Sequence, residues 1–288
     1  PEVQKAVGQV EPMLAAQGVE LPKLLASLTG SLGYVITLDK AKTVTLPGDE
    51  PGITIPEPGA ALVIGTKDAT LFDVMKAKGL RQEGVSAWIY TGAYQVPTPT
   101  LLGDVGRDLA MVDEVIGVGE IAIADHRSSS PGVLELIRLA KLARVGGMIG
   151  GKAGIVNIHL GDSPEPFSML YEAVAQSELQ FSQFLPTHCN RSRSVFEAAK
   201  EYGRKGYVDM TCSSYPYYPE EEVKPSACLR ELLAAGVPPG HITFSSDGCG
   251  ALPVFDEQGQ LVSLASGKPK AIFTELIDCV RQEKLPLE

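Results

Sequence analysis

Gln183-Phe184-Leu185-Pro186-Thr187-His188 runs through Cys189-Asn190-Arg191-Ser192 into Arg193-Ser194-Val195-Phe196-Glu197-Ala198-Ala199-Lys200-Glu201-Tyr202. The first run is short and apolar and reads as a strand that ends on a histidine. From Ser194 to Tyr202 the apolar residues fall at helical spacing. A strand handed at once to an amphipathic helix is one βα unit, and repeated βα units build a parallel sheet. The same alternation extends both ways from this unit. Before it stand the runs 85–90, Ile116 to Ile123 and Gly154 to His159; after it come Tyr207 to Cys212 and His241 to Ser246. Helical periodicity covers Leu134 to Ala143, Ser226 to Ala235 with Gly236 as its stop, and Ala271 to Lys284.

Two earlier runs, Gly33 to Thr37 and Ala60 to Gly65, raise the strand count to eight, the number that closes a TIM-like (β/α)8 barrel. The predicted class is therefore α/β. The opening is less regular: Pro1 to Leu28 reads as one or two helices, and Lys40 to Pro58 as a small β excursion or a long loop. The expected division is an unassigned N-terminal segment, 1–60, and a hydrolase barrel, 61–288. A start at Pro1 without methionine, and a stop at Glu288 just after a helical stretch, read as a trimmed or incomplete chain.

The 288 residues are 44% hydrophobic and 21% charged, ordinary for a globular protein. A net charge of −10 argues against a nucleic-acid partner, which selects a basic face. Five cysteines without paired or CxxC spacing suit reduced thiols. No apolar run has membrane-spanning length and no basic-then-apolar leader opens the chain, so no membrane partner is expected and the cytoplasm is the expected compartment.

In a β/α barrel, functional side chains project from the carboxyl ends of the strands. Two of the four histidines, His159 and His188, close successive strands, with Glu120 on the strand before and Asp247 at the end of the last. Imidazole is a good zinc ligand and a carboxylate can complete or bridge the shell, so this set reads as metal-ligating. Asp247 in Ser-Ser-Asp-Gly is either a turn aspartate or a general base beside an activated water. Arg127 and Arg191 follow strand ends; each is either a solvated arginine or a fork for a substrate carboxylate. His126 beside Asp125 and His241 at a strand start read as structural. Gly146 to Lys152 lacks the P-loop spacing and reads as a tight helix-to-strand connection.

Taken together, the strings Gly84-Val85-Ser86-Ala87-Trp88 with Thr91-Gly92-Ala93-Tyr94, Asp125-His126-Arg127-Ser128, Arg144-Val145-Gly146-Gly147, His159-Leu160-Gly161-Asp162, Leu185-Pro186-Thr187-His188 with Asn190-Arg191, and Ser245-Ser246-Asp247-Gly248 resemble the isoaspartyl (β-aspartyl) dipeptidases of the amidohydrolase superfamily. The likeness covers about residues 80 to 285. It implies a binuclear zinc site that cleaves β-aspartyl peptide bonds; for this chain one or two zinc ions, a small peptide substrate and a homo-oligomer are expected. It places His159 and His188 as zinc ligands, Asp247 as ligand and general base, Arg127 and Arg191 on substrate carboxylates, and Tyr94 on the scissile carbonyl. Glu120 falls where many members carry a bridging carboxylated lysine.

The chain departs from the pattern in places. The family's strand-one His-x-His is absent, the glycine-rich stretch and glutamate that hold the substrate's amino group are not recognisable, and Ala251 stands where a substrate-contacting serine is expected. Two other readings follow: a related amidohydrolase for N-acyl amino acids or cyclic amides, and a non-catalytic ligand-binding barrel.

Overall fold

Each of the eight apolar runs does contain a strand, but the eight do not form one parallel ring. The computed structural model describes residues 28–36, 60–66, 69–256 and 258–286, with side chains from Asp73 onward. The chain divides into two compact units, Pro1–Asp73 and Val74–Glu288. In the first, β1 (Leu28–Ile36) and β2 (Ala60–Thr66) pair antiparallel, with Leu32 opposite Ile64 and Ile36 opposite Ala60. This corrects the expectation that they open a parallel barrel, because successive strands of a βα array run the same way and need a crossover between them. The helices expected in 1–28 and the excursion in 40–58 lie outside the described residues.

Helix α1 (Ala69–Gln82) leads through an irregular stretch to β3 (Ile89–Thr91). The run 85–90 was expected to be strand throughout. Val85 and Trp88 are instead exposed and only the last residues pair, because β3 has a neighbour along one edge alone, β4 (Val115–Ile123), among the described residues. β5 (Ile155–Leu160) and β6 (Phe184–Thr187) continue this parallel sheet in the order β3-β4-β5-β6. β7 (Val208–Thr211) and β8 (Ile242–Ser245) form a second parallel pair. Cys189 N donates to the Asp209 carbonyl at 3.1 Å and carries the alignment from the end of β6 to β7. Six parallel strands thus follow chain order. Among the described residues no strand pairing joins β8 back to β3, so the closed eight-stranded barrel is not seen.

The crossovers are α2 (Val105–Met111), α3 (Val133–Gly150), α4 (Ser168–Ala175), α5 (Arg193–Gly203) and α6 (Pro225–Ala234). Local chemistry starts several of them. Asp104 accepts from Arg107 N at 2.9 Å to cap α2, Ser192 accepts from Val195 N at 3.3 Å to cap α5, and Pro225 occupies the first turn of α6. Strands β4 and β5 are buried almost throughout, through Val118, Ile121, Ile123, Val156, Ile158 and Leu160, which pack with Leu136, Ala140 and Ala143 of α3 in one core. Double burial is the reason these strands read as near-continuous apolar runs rather than alternating ones.

Helix α3 extends seven residues beyond the expected Ala143. The glycine-rich stretch is mostly its last turns rather than a connection: a Cβ on Gly146 would strike the backbone of Gly106 in α2, and one on Gly150 the Leu109 carbonyl. After β8 a hairpin of β9 (Ala251–Phe255) and β10 (Leu261–Ser266), which the apolar pattern did not announce, precedes α7 (Ala271–Arg281). Glu275 of α7 accepts from Ser226 N at 2.9 Å and caps the start of α6 from a neighbouring element. No described helix is long and apolar enough to cross a membrane.

Candidate active site

The carboxyl ends of β3 to β8 surround a cavity of about 790 Å3. Its lining includes Tyr94, Arg127, His159, His188, Arg191 and Asp247, six of the seven site residues expected from sequence. The seventh, Glu120, meets them through His159. β4 carries one extra residue against β5 between Val118 and Ile121, a bulge that re-aims the Glu120 side chain. Gly119 makes the bulge possible: its φ is 142°, and a Cβ there would run into the Asn157 carbonyl of β5. Glu120 Oε2 consequently lies 3.0 Å from His159 Nδ1.

His159 is 3% exposed and is the most crowded group of the site. Its Nδ1 also lies 3.0 Å from the Tyr94 hydroxyl, and its Nε2 lies 3.2 Å from Asp125 Oδ2 and 2.7 Å from Arg127 Nη2. The two tautomers serve different ends. Nε2 accepting from Arg127 puts the proton on Nδ1, toward Glu120. Nε2 donating to Asp125 leaves the Nδ1 lone pair facing Glu120, which is the ligating form.

His188 follows β6 with φ 62°, and its ring meets that of His159 edge-on at 4.5 Å between centroids. The Thr211 hydroxyl of β7 lies 2.7 Å from Nδ1, which leaves Nε2 as the nitrogen available to a ligand. Burial, then the neighbouring His159 and Arg191, hold this imidazole well below its ordinary pKa, so it is neutral. Donor atoms of Glu120, His159 and His188 all lie within 4.8 Å of one another, a set able to share a metal ion. A neutral imidazole held by a threonine, a second imidazole with a buried carboxylate behind it, and a free-reaching carboxylate are the donor types zinc selects.

Asp247 lines the cavity but stands outside that three-residue group. It leaves β8 with φ 48°, its carboxylate lying where a side chain on Gly250 would be. Partial burial and the charge of Glu120 raise its pKa, while His159, Arg191 and Arg127 oppose the shift. Ala124, His188 and Asp247 all turn out of their strands in the left-handed region. For residues other than glycine this is unfavourable and is kept where the surroundings enforce it, commonly at functional sites.

The two arginines are not free. Arg127 donates from Nε and Nη2 to both oxygens of Asp125 at 2.9 Å each, and Arg191 Nη1 reaches Asp125 Oδ2 at 3.3 Å. The Asp125 side chain is 2% exposed, and its carboxyl is held far below the usual carboxylate range, chiefly by Arg127. Each guanidinium has five N–H groups. Among the described residues, Arg127 Nη1 and Arg191 Nε have no hydrogen-bond acceptor and can take another. Tyr94 stacks near both groups, its ring 4.5 Å from that of His159 and 5.3 Å from the Arg127 carbon, and burial with Glu120 pushes its hydroxyl up to about 12.

Asp125 and Thr211 were not singled out from sequence. Asp125 had a readable signal, since Arg127 N donates to its Oδ1 at 2.7 Å in an Asp turn that the strand-end Asp-His-Arg spacing permits. Thr211 had none, because its partner is 23 residues away. His126 is exposed at the rim, 3.7 Å from Asp125 Oδ1. His241 accepts its structural reading: Nδ1 lies 2.8 Å from the Gly203 carbonyl and its ring packs on Tyr207.

No family model matches the chain. Solved structures do. A β-aspartyl dipeptidase from the thermophilic keratin-degrading Fervidobacterium islandicum AW-1, in complex with the dipeptide β-Asp-Leu, is 41% identical over 74% of this chain, with a TM-score of 0.66. A second structure of β-aspartyl dipeptidase from that organism is 37% identical over 74% of the chain, with a TM-score of 0.63. Over that shared part the chain is similar to β-aspartyl dipeptidases. It spans about half of those proteins' length, 55% and 53%. The likeness is thus to part of a β-aspartyl dipeptidase.

Proposed function

We propose that this chain hydrolyses β-aspartyl dipeptides with zinc, on a β/α-barrel frame of the amidohydrolase kind. What carries the reading is the convergence of Glu120, His159 and His188 in a cavity that also holds Tyr94, Asp247 and two arginines, in a chain 41% identical to a β-aspartyl dipeptidase. Zinc held by those three residues would supply an acidified water and polarise the scissile carbonyl.

The remaining work falls to the chain's own groups. The Asp247 carboxylate accepts the water's proton and passes it to the leaving amine, a task suited to a carboxylate whose pKa is raised. Tyr94 stays protonated at neutral pH and donates a hydrogen bond to the carbonyl oxygen as it becomes negative. Arg127 and Arg191, fixed in place by Asp125, offer their remaining N–H groups to the ligand's carboxylates. Asp125 orients His159, and Thr211 orients His188, as outer partners of metal-bound histidines do. A cytoplasmic setting agrees with five free cysteines, four of them buried.

The test is purified chain, titrated with zinc and supplied with β-Asp-Leu. Leucine release that rises with zinc content, and loss of both zinc and turnover in His188→Ala, is the expected result. Zinc-loaded protein that releases no leucine would overturn the reading.

A further inference from the structure

The parallel strands fall into two sheets, β3-β4-β5-β6 and β7-β8, and among the described residues no strand pairing joins β6 to β7. That break divides the site. His159 and His188 stand at the ends of β5 and β6, whereas Asp247 follows β8. Their mutual placement therefore depends on what crosses from β6 to β7. Much of the crossing is made by one residue, Asp209 of β7, which has no part in the chemistry above.

Asp209 bridges with both its backbone and its side chain. Its carbonyl accepts from Cys189 N at 3.1 Å and its Oδ2 from Thr187 Oγ1 at 2.6 Å, so it holds the residues on either side of His188. On its other flank, Oδ1 accepts from Thr243 Oγ1 at 2.7 Å and Oδ2 accepts from Ser245 Oγ. Strand alternation puts Thr243 and Ser245 on one face of β8, in register with Asp209 and Thr211 of β7. Asp247 follows two residues after Ser245. The Thr211 hydroxyl, beside Asp209 on β7, lies 2.7 Å from His188 Nδ1. Asp209 thus ties the strand that delivers His188 to the strand that delivers Asp247.

Stability alone is a poor reason for this arrangement. Asp209 is buried, and taking a carboxylate out of water is costly even where three hydroxyls donate to it. Well-packed apolar side chains of similar volume often hold such a position as well or better. What hydrogen bonds add is direction, since each needs its donor within about 3 Å of the acceptor and near a straight line with it. Thr187, Thr243 and Ser245 can meet one carboxylate in only one mutual setting of β6, β7 and β8.

We propose that Asp209 is a positioning residue for hydrolysis: by bonding to β6 and β8 together, it sets the Asp247 carboxylate at its working distance from the His188 imidazole. It does not line the cavity and acts through the residues it holds. Its effect on turnover rests on the dipeptidase reading; its hold on His188 does not. A misplacement of about 1 Å between reacting groups costs on the order of 100-fold in rate.

The test compares variants at full zinc occupancy with β-Asp-Leu as substrate. Asp209→Asn keeps the shape but sets an NH2 group among hydroxyl donors. It should lower kcat roughly 10- to 100-fold and leave KM within about threefold, because Asp125 holds the arginines independently. Thr187→Val removes one hydroxyl at nearly constant volume and should lower kcat about fivefold, the equivalent of one hydrogen bond, whereas Thr187→Ser keeps the hydroxyl and should retain wild-type kcat. The chain has four histidines, so the imidazole 15N resonances of His188 can be followed in labelled protein without zinc or turnover. The Nδ1 resonance should shift in Thr187→Val, as the Thr211 contact is disturbed, and stay in place in Thr187→Ser. Wild-type kcat in Asp209→Asn or Thr187→Val overturns the proposal, as does an unmoved His188 resonance in Thr187→Val. A loss confined to the unfolding midpoint marks a merely structural role and overturns it too. If Asp209→Asn fails to fold, the two Thr187 variants decide. Zinc-loaded wild type that releases no leucine sinks the dipeptidase reading, and the His188 resonance then decides the positioning role by itself.

Discussion

Asp125→Asn tests the idea that one buried carboxylate organises the site. Asp125 accepts from Arg127 N at 2.7 Å, from Arg127 Nε and Nη2 at 2.9 Å, and from Arg191 Nη1 at 3.3 Å, and it faces His159 Nε2. Asparagine has the same shape. Its oxygen can still receive the Arg127 backbone, but its NH2 group is then set against guanidinium donors. Two charge-assisted bonds are lost, each worth about 1.5–3 kcal/mol when buried. Arg127 is 46% exposed and Arg191 22% exposed on their side chains, so solvent screens part of this, and about 2–3 kcal/mol is expected in all. At about 2–4 °C per kcal/mol for a domain of this size, the unfolding midpoint should fall by about 5–10 °C. Zinc affinity should fall roughly 10- to 100-fold, because His159 loses the partner that selects its ligating tautomer.

The pH dependence has a definite sign. The folded-state pKa of Asp125 lies below its ordinary value of 3.8, so its contribution is complete above that pH and shrinks as pH falls further. The gap between wild type and variant should accordingly be constant from neutral pH down to about pH 5 and narrow in stronger acid. Thermal and urea unfolding with a competitive zinc titration measure both effects. An unchanged midpoint together with unchanged zinc affinity would refute the role given to Asp125.

Thr211→Val removes the hydroxyl on His188 Nδ1 while keeping the buried volume, and zinc affinity measured by chelator competition should drop roughly tenfold with the fold intact. Gly119→Ala should lower stability by about 2 kcal/mol or more and abolish the metal set, since its Cβ meets the Asn157 carbonyl and its φ is 142°; a urea midpoint equal to wild type would contradict the bulge argument. Asp209, buried on β7 beneath the site, accepts from Thr187, Thr243 and Ser245, and burial raises its pKa to about 6. A carboxyl with a raised folded-state pKa loses stability as pH rises, here from about 4 to 6, by about 3 kcal/mol. Asp209→Asn should remove that slope from the pH–stability curve, and an identical slope in both proteins would count against it.

The sequence by itself was enough for the alternation of strand and helix from β3 to β8, because burial on both faces leaves short apolar runs and Ser192, Asp104 and Pro225 mark helix starts locally. It also pointed to the strand ends that carry Tyr94, Glu120, Arg127, His159, His188, Arg191 and Asp247, since strand-end position is a property of the local run. It could not determine how β1 and β2 pair, because an apolar run is the same in a parallel and an antiparallel neighbour and only the partner decides. It could not determine that the glycines after Ala143 continue α3, a matter of the backbone of α2 approaching that face. Nor could it show that Arg127 and Arg191 meet on Asp125, or that Thr211 sets His188. Those are contacts between residues up to 66 apart in the chain. Charge pairing and hydrogen bonding act over a few ångströms in space, and only the folded arrangement of the strand ends brings such groups within that reach.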